Sequence, residues 1–188
     1  MQALINAGGK GSRMGECGIE KPMQIIGGKP VVQHVVEAII ESKHIDSILV
    51  SVSDNTPETE RFLKEMGIKT IRTSGESFMD DLHDSFSRMS GDFILTCPSD
   101  VPLISTSKLD SFIETFDKRT MESYVALVSC DTVRDLGIKP SFTMERYGYV
   151  WAVSGISIMD RKKTLRGEYL MDAFYQTYCK EFAVNVNT

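Results

Sequence analysis

Between residues 3 and 130, short uninterrupted apolar runs alternate with stretches whose apolar residues recur at helical spacing. A strand covered on both faces needs no polar alternation. Such runs therefore read as strands of a mostly parallel sheet, with amphipathic helices on its two sides. The strand runs are 4–7, 45–52, 68–71, 93–97 and 124–130. The first predicted helix follows Pro30 and carries Val31, Val32, Val35, Val36, Ile39 and Ile40 on one side. The second follows Asn55-Thr56-Pro57, with Thr56 as the expected cap, Pro57 in the first turn, and Glu58 and Glu60 at the positive end of the helix dipole. Leu82, Phe86 and Met89 mark a third helix over 78–89, and Leu109, Phe112, Ile113 and Phe116 a fourth over 105–117. Right-handed crossovers make a three-layer α/β/α arrangement the expected fold.

The last third is less regular. Residues 147–159 read as a long aromatic and β-branched strand stretch broken by Gly148 and Gly155. Residues 161–168 are charged and read as a loop, 169–178 as a helix, and 182–186 as a final strand that extends the same sheet. No linker, repeat or low-complexity tract divides the 188 residues, so one domain is expected.

The formal net charge of -5 argues against a general nucleic-acid binder, although a few converging cations can still hold an anion. Cys17, Cys97, Cys130 and Cys179 are scattered without metal-ligand spacing and read as thiols of a reducing compartment. The amino terminus lacks the basic leader and apolar stretch of a secretory signal, and no run reaches transmembrane length. A cytoplasmic protein with no stable membrane insertion is the expectation. His34, His44 and His83 do not cluster, and no Ser-His-Asp arrangement is indicated.

Chemistry concentrates at the first strand end. The run Ala3-Leu4-Ile5 leads into Ala7-Gly8-Gly9-Lys10-Gly11-Ser12-Arg13-Met14-Gly15, with Lys21-Pro22 behind it. Glycines permit close backbone approach, their N–H groups can face one concavity, and Lys10, Arg13 and Lys21 add charge suited to a polyphosphate. Neither the dinucleotide GxGxxG pattern nor the P-loop is complete, so the residues alone leave a solvent-facing glycine turn open. Asp100 follows the strand at 93–97 between Pro98 and Pro102. That position suits a carboxylate holding a divalent cation, and equally a turn residue.

The segment from Leu4 to Gly15 with Lys21-Pro22 resembles the signature of nucleotidyltransferases, the group that includes molybdenum cofactor guanylyltransferase and the sugar-1-phosphate nucleotidyltransferases. The resemblance implies a Rossmann-like nucleotidyltransferase fold. It also implies that Ala7, Gly8, Gly9, Lys10, Gly11 and Ser12 wrap a triphosphate, with Arg13 and Lys21 on the phosphates at the reacting centre. Ser99-Asp100-Val101-Pro102 matches the Asp-x-Pro setting of that group's metal ligand, which implies Mg²⁺ on Asp100. The tail from Phe182 to Thr188 is similar to a late Asn-x-Asn-Thr element, placing Asn187 near the metal or its waters. Asn185 would brace a loop.

Thr73-Ser74-Gly75 is the candidate for base recognition, since Gly75 permits close approach and guanine needs acceptors for its N1–H and N2 amine. With Asn55-Thr56-Pro57, Asp81-Leu82 and Gly155-Ile156, the chain resembles the archaeal GTP:adenosylcobinamide-phosphate guanylyltransferase family over nearly its full length. That resemblance implies GTP and adenosylcobinamide phosphate as substrates. A homodimer is carried as an expectation. Molybdenum cofactor guanylyltransferase, a CTP-using relative and a non-catalytic nucleotide sensor stay open as alternatives. Tyr147, Tyr149 and Trp151 share a sheet face at period two, which fits either the approach of a large acceptor or core packing.

Overall fold

The apolar runs assemble into one eight-stranded sheet in the computed structural model, which describes residues 1–10 and 18–183. In chain order the elements are β1 (Gln2–Asn6), β2 (Ile25–Ile26), β3 (Lys29–Pro30), α1 (Val31–Ile40), β4 (Ser47–Val52), α2 (Pro57–Glu65), β5 (Thr70–Arg72) and α3 (Phe78–Ser87). They continue with β6 (Phe93–Pro98), α4 (Thr106–Glu114), β7 (Ser123–Ser129), α5 (Cys130–Asp135), β8 (Thr143–Arg146), β9 (Tyr149–Asp160), α6 (Arg161–Leu165) and β10 (Asp172–Thr177). The sheet order is β10-β7-β9-β6-β1-β4-β5, with β8 paired to β9 outside that path. β6, β1, β4 and β5 are mutually parallel, as are β7 and β10, while β9 runs antiparallel to both β6 and β7.

Burial on both faces explains the unbroken apolar runs. Ala3 and Ile5 of β1 enter the larger core with Val32, Val36, Leu63, Leu109 and Phe112 from α1, α2 and α4. Leu4, on the opposite face of the same strand, packs with Leu82 and Phe86 of α3, Ile94 of β6 and Leu165 at the end of α6. Polar side chains at either set of positions would face a helix rather than water. The expected three-layer sandwich and mostly parallel sheet are therefore present.

The last third departs from the sequence expectation. Residues 172–177 form β10, an edge strand parallel to β7, where a helix is predicted. Ala173 and Tyr175 turn to the main core, and Tyr175 meets Phe112, Tyr124 and Phe182 at centroid distances of 5.4, 6.3 and 5.8 Å. Phe174, on the other face, lies under the Arg146 guanidinium at 4.0 Å. This aromatic cluster outweighs the helical spacing of Leu170, Phe174 and Tyr178.

Residues 161–165 form α6 rather than loop, because the Asp160 side chain accepts from the Lys163 amide and caps the turn. Lys180–Phe182 form a single 3₁₀ turn. The predicted strand at 182–186 extends from that turn beyond the described residues. α5 and β8 were not anticipated; β8 joins β9 through a two-residue hairpin in which both Tyr147 and Gly148 have positive φ.

Candidate functional site

The glycine segment leaves β1 between the carboxyl ends of β4 and β6. The sheet order reverses there: the chain goes from β1 to β4 and β5 on one side and returns to β6 on the other. Crevices at such reversals are the usual ligand sites of open α/β sheets. The Ala7 amide donates to the Ser51 carbonyl at 2.8 Å, and the Ser99 amide to the Asn6 carbonyl at 3.1 Å, so the ladders carry past the strand ends into both flanking loops. The Asn6 side chain accepts a long 3.4 Å contact from Ser51 Oγ.

The loop's first glycine is held from below. Ser53 Oγ, fully buried, donates to the Gly8 carbonyl at 2.7 Å and accepts from the Asn55 amide at 3.1 Å. Gly75 comes in against the same point with φ +69. A Cβ there would lie 2.5 Å from Ser53 Oγ, 2.6 Å from Asn55 Nδ2 and 2.7 Å from the Gly8 oxygen. Only glycine fits, so the segment after β5 rests directly on the segment after β1. Thr73 extends β5 by donating its amide to Val52 at 2.9 Å. The Asp81 carboxylate at the start of α3 then accepts from Ser74 Oγ at 2.8 Å and from the Gly75 amide at 3.1 Å. Lys10 reaches the same region and pairs with Glu76.

On the other side, the Lys21 ammonium and the Asp100 carboxylate form an ion pair across 79 residues of chain. Lys21 opens a 3₁₀ turn, Lys21–Met23, with Pro22 buried. Asp100 follows β6. Gly155 of β9, with φ +85, lies against Pro98 so closely that a Cβ would approach the proline ring to 3.2 Å. This contact falls where the β7–β9 register shifts, and it packs β9 onto the turn that carries Asp100.

Of the residues expected at the site, Ala7, Gly8, Gly9, Lys10, Thr73, Ser74, Gly75 and Asp100 lie at or just beyond the carboxyl ends of β1, β5 and β6, and Lys21 joins them through Asp100. Gly11, Ser12, Arg13, Asn185 and Asn187 lie outside the described residues. The family model for the MobA-like NTP transferase domain matches residues 3–138, a span that includes Ala7 to Lys10, Lys21, Thr73 to Gly75 and Asp100.

The chain belongs to that family.

The adenosylcobinamide-phosphate guanylyltransferase of Methanocaldococcus jannaschii is 33% identical over 121 residues, 62% of this chain and 60% of that protein. A molybdenum cofactor guanylyltransferase from Histophilus somni is 28% identical over 120 residues, 61% of this chain and 57% of its own. The matches thus span little more than half the length of these curated relatives. Among solved structures, a hypothetical transferase from Thermus thermophilus superposes with a TM-score of 0.73 at 15% identity, covering 100% of this chain and 98% of that one. A CMP:2-keto-3-deoxy-manno-octonic acid synthetase complexed with CTP gives 0.70 at 17% identity over 94% and 89%. At these identities the likeness shows the fold.

Within this MobA-like domain, no group of three or more His, Cys, Asp or Glu side chains converges among the described residues. A cage of protein ligands is not what Mg²⁺ requires. It favours one or two carboxylates completed by phosphate oxygens and waters, and Asp100 at a strand end beside a phosphate-type loop fits that donor set. Cys97, near the end of β6, is buried, and burial together with the Asp100 charge pushes its thiol far up, leaving it unreactive.

The remaining expectations divide. Thr56 stands at the N-cap of α2 but its side chain does not cap; the hydroxyl bonds to Ser53 instead. Glu20 supplies the cap, accepting from the Glu58 amide at 2.6 Å and the Thr59 amide at 2.7 Å. Of the three aromatics expected on one sheet face, Tyr147 sits in the hairpin turn, Tyr149 is exposed, and Trp151 is buried against Tyr178. Among the described residues, His34, His44 and His83 bond separately to the Ile26 carbonyl, Glu114 and the Leu165 carbonyl.

Ser53 and Glu20 were missed as site residues. The Ser53-Asp54-Asn55-Thr56-Pro57 turn composition was the available signal for the first. A groove of about 890 Å³ opens at the opposite end of the sheet, lined by Gln2, Ser47, Phe93, Phe116 and Arg119, away from Gly8, Gly75, Lys21 and Asp100. No described helix is long and apolar enough to cross a membrane.

Proposed function

We propose that this chain is a guanylyltransferase that moves GMP from GTP to adenosylcobinamide phosphate and releases pyrophosphate. The observation that carries nucleotidyl transfer is the convergence of Lys21 and Asp100 beside the Gly8 segment. A cation and a metal-type carboxylate from distant parts of the chain meet where a triphosphate would lie. The choice of GTP and of a corrinoid phosphate is supported by the 33% identical relative.

The acceptor's phosphate oxygen attacks the α-phosphorus of GTP, and the bond to the β-phosphate oxygen breaks on the opposite side. That nucleophile is largely ionised at neutral pH, so no strong protein base is needed. What remains is alignment and charge compensation. Lys21 exchanges its carboxylate partner for phosphate oxygens, and the resemblance gives Arg13, which lies outside the described residues, the same task. Asp100 would hold Mg²⁺, which would supply positive charge toward the phosphate oxygens. Gly75 and its neighbours, set by Asp81, face the base.

The test is pyrophosphate release with GTP, Mg²⁺ and adenosylcobinamide phosphate, run beside ATP, CTP and UTP and beside a molybdopterin acceptor. Release confined to GTP with the corrinoid phosphate is expected. Release with CTP or with molybdopterin instead would reassign the substrates, and no release with any pair would remove the enzymatic reading.

A further inference from the structure

We propose that Glu20 is a positioning residue that sets Lys21 in the crevice by tying it to α2. The inference rests on the nucleotidyl-transfer reading for its catalytic consequence, although its structural half stands apart from it.

Glu20 adjoins the lysine that reaches Asp100, and both oxygens of its carboxylate are taken up by another element. Oε1 accepts from the Glu58 amide at 2.6 Å, and Oε2 from the Thr59 amide at 2.7 Å and Thr59 Oγ1 at 2.6 Å. These amides belong to the first turn of α2, where the helix has unpaired donors and a positive dipole end. Because Thr56 spends its hydroxyl on Ser53, the cap must come from elsewhere, and Glu20 provides it from 38 residues away.

A helix could be capped more simply by a local side chain. The use of a distant carboxylate fixes the segment that carries it. The Glu20 carbonyl accepts from the Met23 amide at 2.9 Å, closing the Lys21–Met23 turn over buried Pro22. On the far side of that turn the Gln24 carbonyl accepts from the Val31 amide at 2.9 Å, binding the segment to the start of α1. The backbone of Lys21 is thereby held between two helices that pack on one face of the sheet. Its ammonium meets Asp100.

The experiment compares wild type, Glu20→Ala and Glu20→Gln in nucleotide-free protein and in turnover. Acetylation of Lys21 by acetic anhydride, followed by peptide mass spectrometry with Lys43 as the exposed reference, reads its placement directly. In Glu20→Ala, Lys21 labelling is expected to rise about fivefold relative to Lys43 as its ion pair loosens. The turnover number is expected to fall about 10- to 100-fold with a smaller change in KM for GTP, as misplacement of a reacting-centre group does. Glu20→Gln keeps one carbonyl oxygen to accept from one α2 amide but turns its NH2 toward the other, and is expected to recover only part of both.

If Glu20→Ala speeds amide exchange at Glu58 and Thr59 while Lys21 labelling and turnover stay at wild-type levels, Glu20 is only a helix cap and the proposal is overturned. Labelling is read without substrate. A wild type that releases no pyrophosphate would therefore strike the functional reading alone, and unchanged labelling would strike this one.

Discussion

Two ion pairs flank the glycine segment, and they differ in burial rather than in chemistry. On the β6 side, Lys21 and Asp100 are 18% and 14% exposed; on the β5 side, Lys10 and Glu76 are 51% and 66% exposed. A partly desolvated pair cannot be left half-made cheaply, because the surviving charge loses its partner without gaining full hydration. An exposed pair is exchanged for water at little cost. The buried side is therefore where binding a charged ligand must substitute one partner for another, and the exposed side is where charge assists without being required. On the proposed reading, Lys21 and Asp100 form the reacting centre and Lys10 is an accessory part.

The sharpest way to break this assignment is to remove the buried pair. Asp100→Ala and Lys21→Ala should each lower kcat by about 10²- to 10³-fold, the scale of losing one electrostatic group at a reacting centre. The double variant should be little worse than either single one, since the two act as a unit. Circular dichroism and thermal melts should show the fold retained. Additive losses in the double variant would mean that the two side chains serve separate functions.

On the exposed side, the segment after β5 is braced against the segment after β1 through Gly75. Gly75→Ala combines a left-handed backbone with a Cβ 2.7 Å from the Gly8 oxygen, which is backbone and cannot rotate away. Urea unfolding should show a loss of about 1–3 kcal/mol. KM for the nucleotide should rise, because relief requires moving the segment after β1. A variant as stable as wild type with unchanged KM would show that the two loops move independently.

A smaller effect concerns the strand leading into the exposed side. Glu60 of α2 bonds Arg72 at the end of β5 and Lys64, and these partners, Arg72 foremost, hold its carboxyl below the ordinary glutamate value. A depressed folded-state value means that the carboxylate contributes stability above its unfolded value of about 4.3, and that this contribution is lost as pH falls through the lower folded value. The stability gap between wild type and Glu60→Gln should be widest near neutral pH and should narrow as pH drops below about 4. Urea titrations across that range measure it, and a constant gap would show that the folded value is not lowered.

The difference between the two sides also marks what a sequence reader can and cannot see. β1, β4 and β6 were legible because burial on both faces writes them as continuous apolar runs, and α1 to α4 because each keeps one apolar face. β10 was not legible. Leu170, Phe174 and Tyr178 imitate a helix, and only the cluster of Phe112, Tyr124 and Phe182, brought from three other elements, makes Tyr175 a strand residue. α6 was hidden by its charge, since Arg161, Lys162 and Lys163 look like loop until Asp160 is seen capping them.

Gly8 and Asp100 are legible as strand-end residues, but the pairing of Asp100 with Lys21 spans 79 residues and has no local signal. The role of Glu20 is equally non-local. A helix cap is read from the residue before the helix, and Thr56 satisfied that rule while the carboxylate came from another segment.

The mildest prediction tests the exposed side itself. Lys10→Ala removes a cation from the loop, yet its pairing with Glu76 lies in high dielectric, where such interactions amount to about 0.2–1 kcal/mol. It should lower kcat/KM for GTP by no more than about fivefold and leave thermal stability within measurement error. The loss should shrink as salt is raised, because at 0.15 M charges more than about 8 Å apart are already screened. Steady-state kinetics at two ionic strengths decide it. A salt-insensitive fall of about 10²-fold would mean that nucleotide binding dehydrates Lys10 as fully as Lys21. The exposure of the ligand-free site would then be a poor guide to which cation carries the phosphate.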